Sequence, residues 1–284
     1  MLAQSPYDFQ LTLRVINSYS KTDGSNVDTL RIGARISGKS VVITVQPKNN
    51  RGELAVTSFP PQPLAEVEAI ARWVVFADLD LQPFYELAQG HPVFDRLIKD
   101  LAGLKPMRPA SLLEMAVIVI TEQQISLAAA NQIRSRLVAR FGDQVDGMWV
   151  FPDAQKLAGV ALEDLRACGY SQRKAEYIIE FARQVKDGRL DLEALKDPPD
   201  EAVRSKLTAL RGWGLWSANY FLVRGLARPD CVPSDDLAIR SVVGRYLGDG
   251  SRASARQVEQ LLTPFTPYRG IAAFYLEAQA RLSR

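Results

Sequence analysis

The sequence predicts an α+β protein, in which a small antiparallel, β-rich N-terminal domain is packed on a larger all-helical body. Three observations carry that prediction. Through the first sixty residues apolar side chains alternate with polar ones, the period of a half-buried strand. From about residue 83 the apolar period becomes 3.6, the period of an amphipathic helix, and it stays there. Between the two regimes Phe59-Pro60-Pro61-Gln62-Pro63 interrupts both patterns. The expected division is residues 1–82 for the β-rich domain and 83–284 for the helical region. Within the latter, 113–232 form a central helical subdomain, and 83–112 with 233–284 form a second.

Four strands are expected at the start. Their alternating positions are Phe9, Leu11, Leu13 and Val15; then Leu30, Ile32, Ala34 and Ile36; then Val41, Ile43 and Val45; then Leu54 and Val56. Asp23-Gly24-Ser25-Asn26, Ser37-Gly38-Lys39 and Asn49-Asn50-Arg51-Gly52 supply turn chemistry between them. A helix follows over Leu64 to Val75. Ser111-Leu112-Leu113-Glu114 has the spacing of a capping box, in which each side chain satisfies a free amide at a helix start. Ala175, Ile178, Ile179 and Ala182 stand at i, i+3, i+4 and i+7. Ala218, Phe221, Leu222 and Gly225 repeat that spacing, as do Ile239, Val242, Val243, Tyr246 and Leu247.

Composition excludes several classes of function. Of 284 residues, 47% are hydrophobic and 24% charged, ordinary for a globular chain and too apolar for a disordered one. The apolar run Ala116-Val117-Ile118-Val119-Ile120 ends at Thr121, far short of the ~20 residues that span a bilayer. The first residues lack the basic and apolar regions of a secretory signal. With two cysteines, Cys168 and Cys231, and one histidine, His91, no four-ligand zinc site or iron–sulfur cluster can be assembled from side chains. The cysteine count fits a cytoplasmic protein. The net charge is +3, but residues 204–256 hold nine basic residues against four acidic ones. Such a segment is compatible with a polyanion partner, although charge alone favours the plainer reading of a solvated helical surface.

Two stretches carry chemistry. In Leu210-Arg211-Gly212-Trp213-Gly214-Leu215-Trp216, two glycines separated by one residue permit a tight turn directly before a helix. Free amides and the positive end of the helix dipole then converge, which is a phosphate site in physical terms. About twenty residues on, Pro233-Ser234-Asp235-Asp236-Leu237 places two carboxylates at a helix start. One aspartate suffices as an N-cap, so the second requires another reason, and facing a cleft is one.

Together these stretches resemble the helix-hairpin-helix–GPD superfamily of DNA glycosylases, in its alkylbase branch. Ile120-Thr121-Glu122-Gln123-Gln124-Ile125-Ser126, Gly169-Tyr170-Ser171-Gln172-Arg173-Lys174-Ala175, Trp216-Ser217-Ala218-Asn219-Tyr220 and Pro267-Tyr268-Arg269-Gly270 each resemble segments of that branch. The resemblance covers roughly residues 83–284. It implies a monofunctional enzyme that flips a cationic alkylated purine such as 3-methyladenine out of duplex DNA and hydrolyses its glycosidic bond. Asp236 is then the catalytic carboxylate, with Asp235 as the second choice and the remaining acid as the N-cap. Trp216, Tyr220, Gln123 and Tyr275 are expected around the base. Gly212, Gly214 and Trp216 hold a phosphate, Arg211 contacts DNA, and Gln124 fills the gap left by the base. Bifunctional members use a lysine in the helix after the hairpin, and none occurs between Gly212 and Asp236. Glu277 stands where family members often carry a tryptophan, with Phe274 and Tyr275 close by. No cofactor is expected, apart from a monovalent cation that the family suggests on hairpin carbonyls. The expected partner is double-stranded DNA with damaged bases, bound by a monomer in the cytoplasm at the nucleoid. Two other readings stay open at this stage: a glycosylase/lyase for oxidised purines of the 8-oxoguanine type, and a non-catalytic DNA-binding module.

Overall fold

The computed structural model describes residues 1–20, 28–49 and 52–283. Its strands are β1 (Leu30–Ile36), β2 (Lys39–Pro47), β3 (Leu54–Phe59), β4 (Asp143–Val145) and β5 (Met148–Val150). The helices that precede the central region are α1 (Phe9–Ser20), α2 (Leu64–Val74), α3 (Gln82–Ala88) and α4 (Pro92–Asp100). The central helices are α5 (Leu112–Glu122), α6 (Leu127–Phe141), α7 (Ala154–Ala158), α8 (Leu162–Ala167), α9 (Gln172–Lys186), α10 (Asp200–Thr208) and α11 (Leu215–Arg224). The chain ends with α12 (Leu237–Leu247), α13 (Ala255–Leu262) and α14 (Arg269–Leu282). This is the α+β architecture that the two periods predicted.

β1, β2 and β3 form one antiparallel sheet in sequence order, with Ile32 opposite Ile43 and Val45 opposite Val56. Ser37 and Gly38 join β1 to β2 with φ of 49° and 79°, the paired positive values that a two-residue hairpin needs. The turn expected at residues 23–26 lies outside the described residues, as do Asn50 and Arg51 of the turn expected at 49–52.

The first expected strand is instead α1, so the sheet has three strands rather than four. Asp8 caps this helix, its carboxylate accepting from Leu11 N at 2.8 Å. Phe9 and Leu13, four residues apart, pack into the core beneath the sheet, while Leu11 and Val15 pack into a helical core. Two helical stripes offset by two positions reproduce a period of two, which is why the sequence reads as a strand.

Three cores result. One lies between the sheet and α2 and takes in Met107. A second gathers α5 and α7 to α11 around Met115, Phe181, Trp213 and Phe221. The third gathers α3, α4 and α12 to α14 with Leu11 and Val15 around Phe84, Phe94, Phe265 and Tyr275.

The helical period does not run unbroken beyond residue 83. β4 and β5 form a hairpin through Asp146 and Gly147, with φ of 46° and 72°. That hairpin lies against the N-terminal sheet. Gly33 approaches the Trp149 carbonyl so closely that a Cβ would stand 2.6 Å from it. Arg35 donates to the Asp143 carboxylate at 2.6 Å, and Arg31 pairs with Asp146.

Lys105 joins the N-terminal segment to the loop after α2. It is wholly buried, and its ammonium donates to Gln4 O at 2.7 Å and to Ala77 O at 3.2 Å. Burial lowers its pKa to about 8, opposed by the Asp78 and Asp80 charges. Between pH 8 and the unfolded value of about 10.4, the unfolded chain binds the proton that the folded chain has released, so stability rises with pH there. Wild-type stability should therefore gain on that of Lys105→Met as pH is raised from 7 to 10, measured by urea denaturation of both proteins.

Candidate active site

The hairpin lies between α10 and α11. Gly212 takes φ +84°, and a Cβ there would stand 2.2 Å from the Tyr177 ring, so only glycine fits. Trp213 turns inward, stacks on Phe181 at 5.4 Å with a 19° interplanar angle, and anchors the loop in the central core. Gly214 is the N-cap of α11 and supplies no side chain to the helix amides, and the space where its Cβ would stand is open. The first amides of α11 are thus free of a side-chain cap on an open backbone, which is the arrangement that binds an anion.

α5 ends beneath this loop. Gln123, its C-cap residue, donates through Nε2 to Gly212 O at 2.9 Å and to Ser217 Oγ at 3.0 Å. Lys174 Nζ donates to Thr121 O at 2.8 Å and Gln123 O at 2.6 Å, satisfying carbonyls at the helix end. Burial lowers the Lys174 pKa. Gln124 follows in the left-handed region, φ 55°, with its side chain exposed, and Ser126 then caps α6. A monovalent cation on the hairpin would meet a Gly212 carbonyl that already accepts from Gln123. Among the described residues no group of three or more His, Cys, Asp and Glu side chains could hold a metal ion.

A cavity of about 990 Å³ opens beside the hairpin. Trp216 and Tyr220, one helical turn apart on α11, stack with ring centroids 5.1 Å apart and planes at 19°. The Tyr220 hydroxyl donates to Glu122 Oε2 at 2.9 Å, and Arg134 donates to Glu122 Oε1 at 2.7 Å. Burial, and then the Glu122 charge, push the Tyr220 pKa well above 10, so it remains a hydrogen-bond donor. α14 forms another wall. Arg269, at its start, grips Asp230 with two hydrogen bonds, Nη2 to Oδ2 at 2.6 Å and Nε to Oδ1 at 2.9 Å. Gly270 packs so tightly that a Cβ would stand 2.5 Å from Cys231 O. These contacts fix the loop that leads to the two aspartates.

Asp236 is half-buried and Asp235 exposed, and both line the cavity. Asp236 is itself the N-cap of α12, its Oδ1 accepting from Ala238 N at 2.8 Å and Ile239 N at 3.1 Å. Its Oδ2 accepts from Trp216 Nε1 at 3.1 Å. The expected division of labour, one acid capping and the other facing the cleft, is therefore replaced by a single residue that does both. A carboxylate has two oxygens, and here each has its own direction.

Gly212, Gly214, Trp216, Tyr220, Gln123, Gln124, Asp235 and Asp236 thus share one cavity. Two expected site residues lie elsewhere. Tyr275 is wholly buried in the third core, its hydroxyl 2.7 Å from that of Tyr85 and donating to Leu104 O at 3.0 Å. The neighbouring Phe274 faces the cavity in its place, because adjacent helical residues point about 100° apart. Arg211 is exposed and lies outside the lining, pairing with Glu176 at 2.7 Å. Sequence reasoning passed over Glu122, Arg134, Tyr177 and Trp213. Glu122 and Trp213 sit inside the motifs themselves; nothing in the sequence links Arg134 or Tyr177 to them.

A family model for the HhH-GPD superfamily base excision DNA repair proteins matches residues 117–267. A DNA-3-methyladenine glycosylase of Bacillus subtilis is 30% identical over 203 residues, covering 70% of this chain and 67% of that protein. The structure of a 3-methyladenine DNA-glycosylase from Archaeoglobus fulgidus superposes with a TM-score of 0.86 at 26% identity, covering 99% of this chain and 98% of that one. A 3-methyladenine DNA glycosylase of Schizosaccharomyces pombe, in complex with abasic DNA, superposes with a TM-score of 0.62 at 26% identity, covering 71% and 98%.

The two hairpin glycines should behave differently on substitution. Gly212→Ala meets both a positive φ and the Tyr177 ring, and should lower unfolding free energy by about 1–3 kcal/mol. Gly214→Ala has room and an ordinary φ of −100°, and should stay within about 0.5 kcal/mol of wild type. Urea denaturation midpoints measure both.

Proposed function

Because this chain belongs to the HhH-GPD superfamily of base excision DNA repair proteins and is a DNA glycosylase, we propose that it is monofunctional and excises cationic alkylated purines such as 3-methyladenine, with Asp236 as the catalytic carboxylate. The observation that carries this reading is the position of Asp236, hydrogen-bonded to Trp216 on the rim of an aromatic-walled cavity beside the uncapped hairpin.

DNA is the partner. A base in the duplex stack cannot be reached in place, so the nucleotide is extruded at a cost of a few kcal/mol, less for a damaged base. The free amides at the start of α11 take a phosphate of the strand, and Gly212 and Gly214 let the backbone come close. Arg211, exposed beside the hairpin, adds charge for that strand, and Gln124, exposed on its left-handed turn, enters the space that the base vacates. Inside the cavity, the faces of Trp216 and Tyr220 attract a positively charged ring by about 0.5–2 kcal/mol.

Cleavage then follows from charge. As the N-glycosidic bond breaks, its electron pair leaves with the base and neutralises the cation, while positive charge grows on the sugar. The Asp236 carboxylate stabilises that charge, and water adds to the anomeric carbon and gives up a proton to the solvent. Three hydrogen bonds hold the carboxylate in place, so it need not reorganise during the step. Among the described residues the cavity lining contains no lysine, and the Lys174 ammonium is bonded to the carbonyls of Thr121 and Gln123 at the end of α5. Water as nucleophile, rather than a Schiff-base lysine, agrees with both facts.

Asp236→Asn should reduce release of 3-methyladenine from methylated duplex DNA by about 10²–10³-fold, the loss typical of a removed electrostatic stabiliser. Binding to an abasic-site duplex should persist. A dead Asp235→Asn beside an active Asp236→Asn would reverse the assignment. Borohydride should trap no covalent protein–DNA adduct with the wild type; a trapped adduct would establish lyase chemistry instead.

A further inference from the structure

Resting on the reading of this cavity as the receptor for an extruded base, we infer that Glu277 is a specificity-determining residue that makes the cavity select bases bearing a positive charge. α14 presents Gly270, Ala273, Phe274, Glu277 and Arg281, a stripe at helical spacing, to the same cavity as the Trp216–Tyr220 stack. Glu277 belongs to that wall, its side chain 18% exposed, three residues on from the buried Phe274. Arg281, one turn on, donates to it twice, Nη2 at 2.9 Å and Nε at 3.3 Å, and both bonds fall on Oε1. Among the described residues Oε2 accepts no hydrogen bond. The guanidinium thus holds the carboxylate of a cavity-lining side chain through one oxygen.

The charge around the cavity points the same way. Its lining carries four carboxylates, Glu122, Asp235, Asp236 and Glu277, against two guanidiniums, Arg224 and Arg281. This is an acidic hollow in a chain of net charge +3. A polyanionic strand gains nothing from such a lining, so its use lies in what enters the hollow. The Tyr220 pKa is raised first by burial and then by the adjacent Glu122 charge; the Arg224 charge opposes them, and the Glu277 charge adds to the rise. A cationic base is therefore favoured by two independent terms, the ring faces of one wall and the carboxylate of the other. A neutral base of the same shape removes water from Glu277 and offers no charge in return, which costs binding.

Fixed-charge probes test this apart from catalysis. The 3,9-dimethyladeninium cation, whose N9 methyl stands for the sugar, and neutral 9-methyladenine are titrated into the full chain with tryptophan fluorescence as readout. Wild type should prefer the cation. Glu277→Gln should bind it about tenfold more weakly while binding 9-methyladenine no more weakly than wild type does, and Glu277→Asp, which keeps the charge, should retain the preference. Equal loss for both probes, no loss for either, or an Asp variant that behaves like the Gln variant would overturn the inference; matched thermal melts of the three proteins exclude a folding defect. Release of free base from methylated DNA by the wild type is read separately: cation-selective binding without release keeps the role of Glu277 and removes the excision reading of the cavity.

Discussion

Asp236 has two carboxylate oxygens with separate tasks, and the arrangement of the cavity depends on that division. Oδ1 closes the first turn of α12 by accepting two amides, as a helix start requires. Oδ2 reaches across to the indole of Trp216 on another helix. A capping aspartate has its orientation set by backbone geometry, which is stiffer than any side-chain contact. The helix therefore delivers the second oxygen to a fixed place. The same bond restrains Trp216, and through ring stacking Tyr220, so the aromatic wall and the charge are located relative to each other by one hydrogen bond and one stack.

Three other ties keep those helices in register. Gln123 joins the end of α5 to the hairpin carbonyl of Gly212 and to Ser217 on α11. Lys174 joins the same helix end to α9. Arg269 and Gly270 bind the start of α14 to the loop that carries the aspartates. Each tie involves a group at a helix terminus, where unpaired backbone amides and carbonyls accumulate and side chains are recruited to satisfy them. Orientation of the site and satisfaction of buried polar groups are thus met by the same bonds.

The N-terminal sheet is held at a distance from this chemistry. It contacts the central helices through the β4–β5 hairpin, where Gly33 permits close approach, and contacts the third core through α1, whose two stripes face different cores. Buried Lys105 adds a polar tie at the junction. The sheet covers the apolar faces of α1 and α2.

By itself the sequence determined what local chemistry determines. The three strands of the sheet, the turn at Ser37-Gly38, the helix from Leu64 and the stripes of α9, α11 and α12 follow from apolar spacing. The Gly212-Trp213-Gly214 loop and the paired aspartates follow from residue types that suit few other places. Only the tertiary structure decided the rest. Phe9 to Val15 alternate because a helix is wedged between two cores, and no local pattern reports what lies on both sides. Tyr275 and Phe274 are adjacent and aromatic, and which of them meets the cavity depends on the rotation of α14 as packed. Glu122 and Arg134 are ordinary polar residues until Tyr220 is brought to them, 98 positions further along the chain than Glu122. That capping and cleft-facing fall to one aspartate is likewise a matter of where α11 lies against α12, because a local signal names a residue's backbone role while its second partner is set by long-range packing.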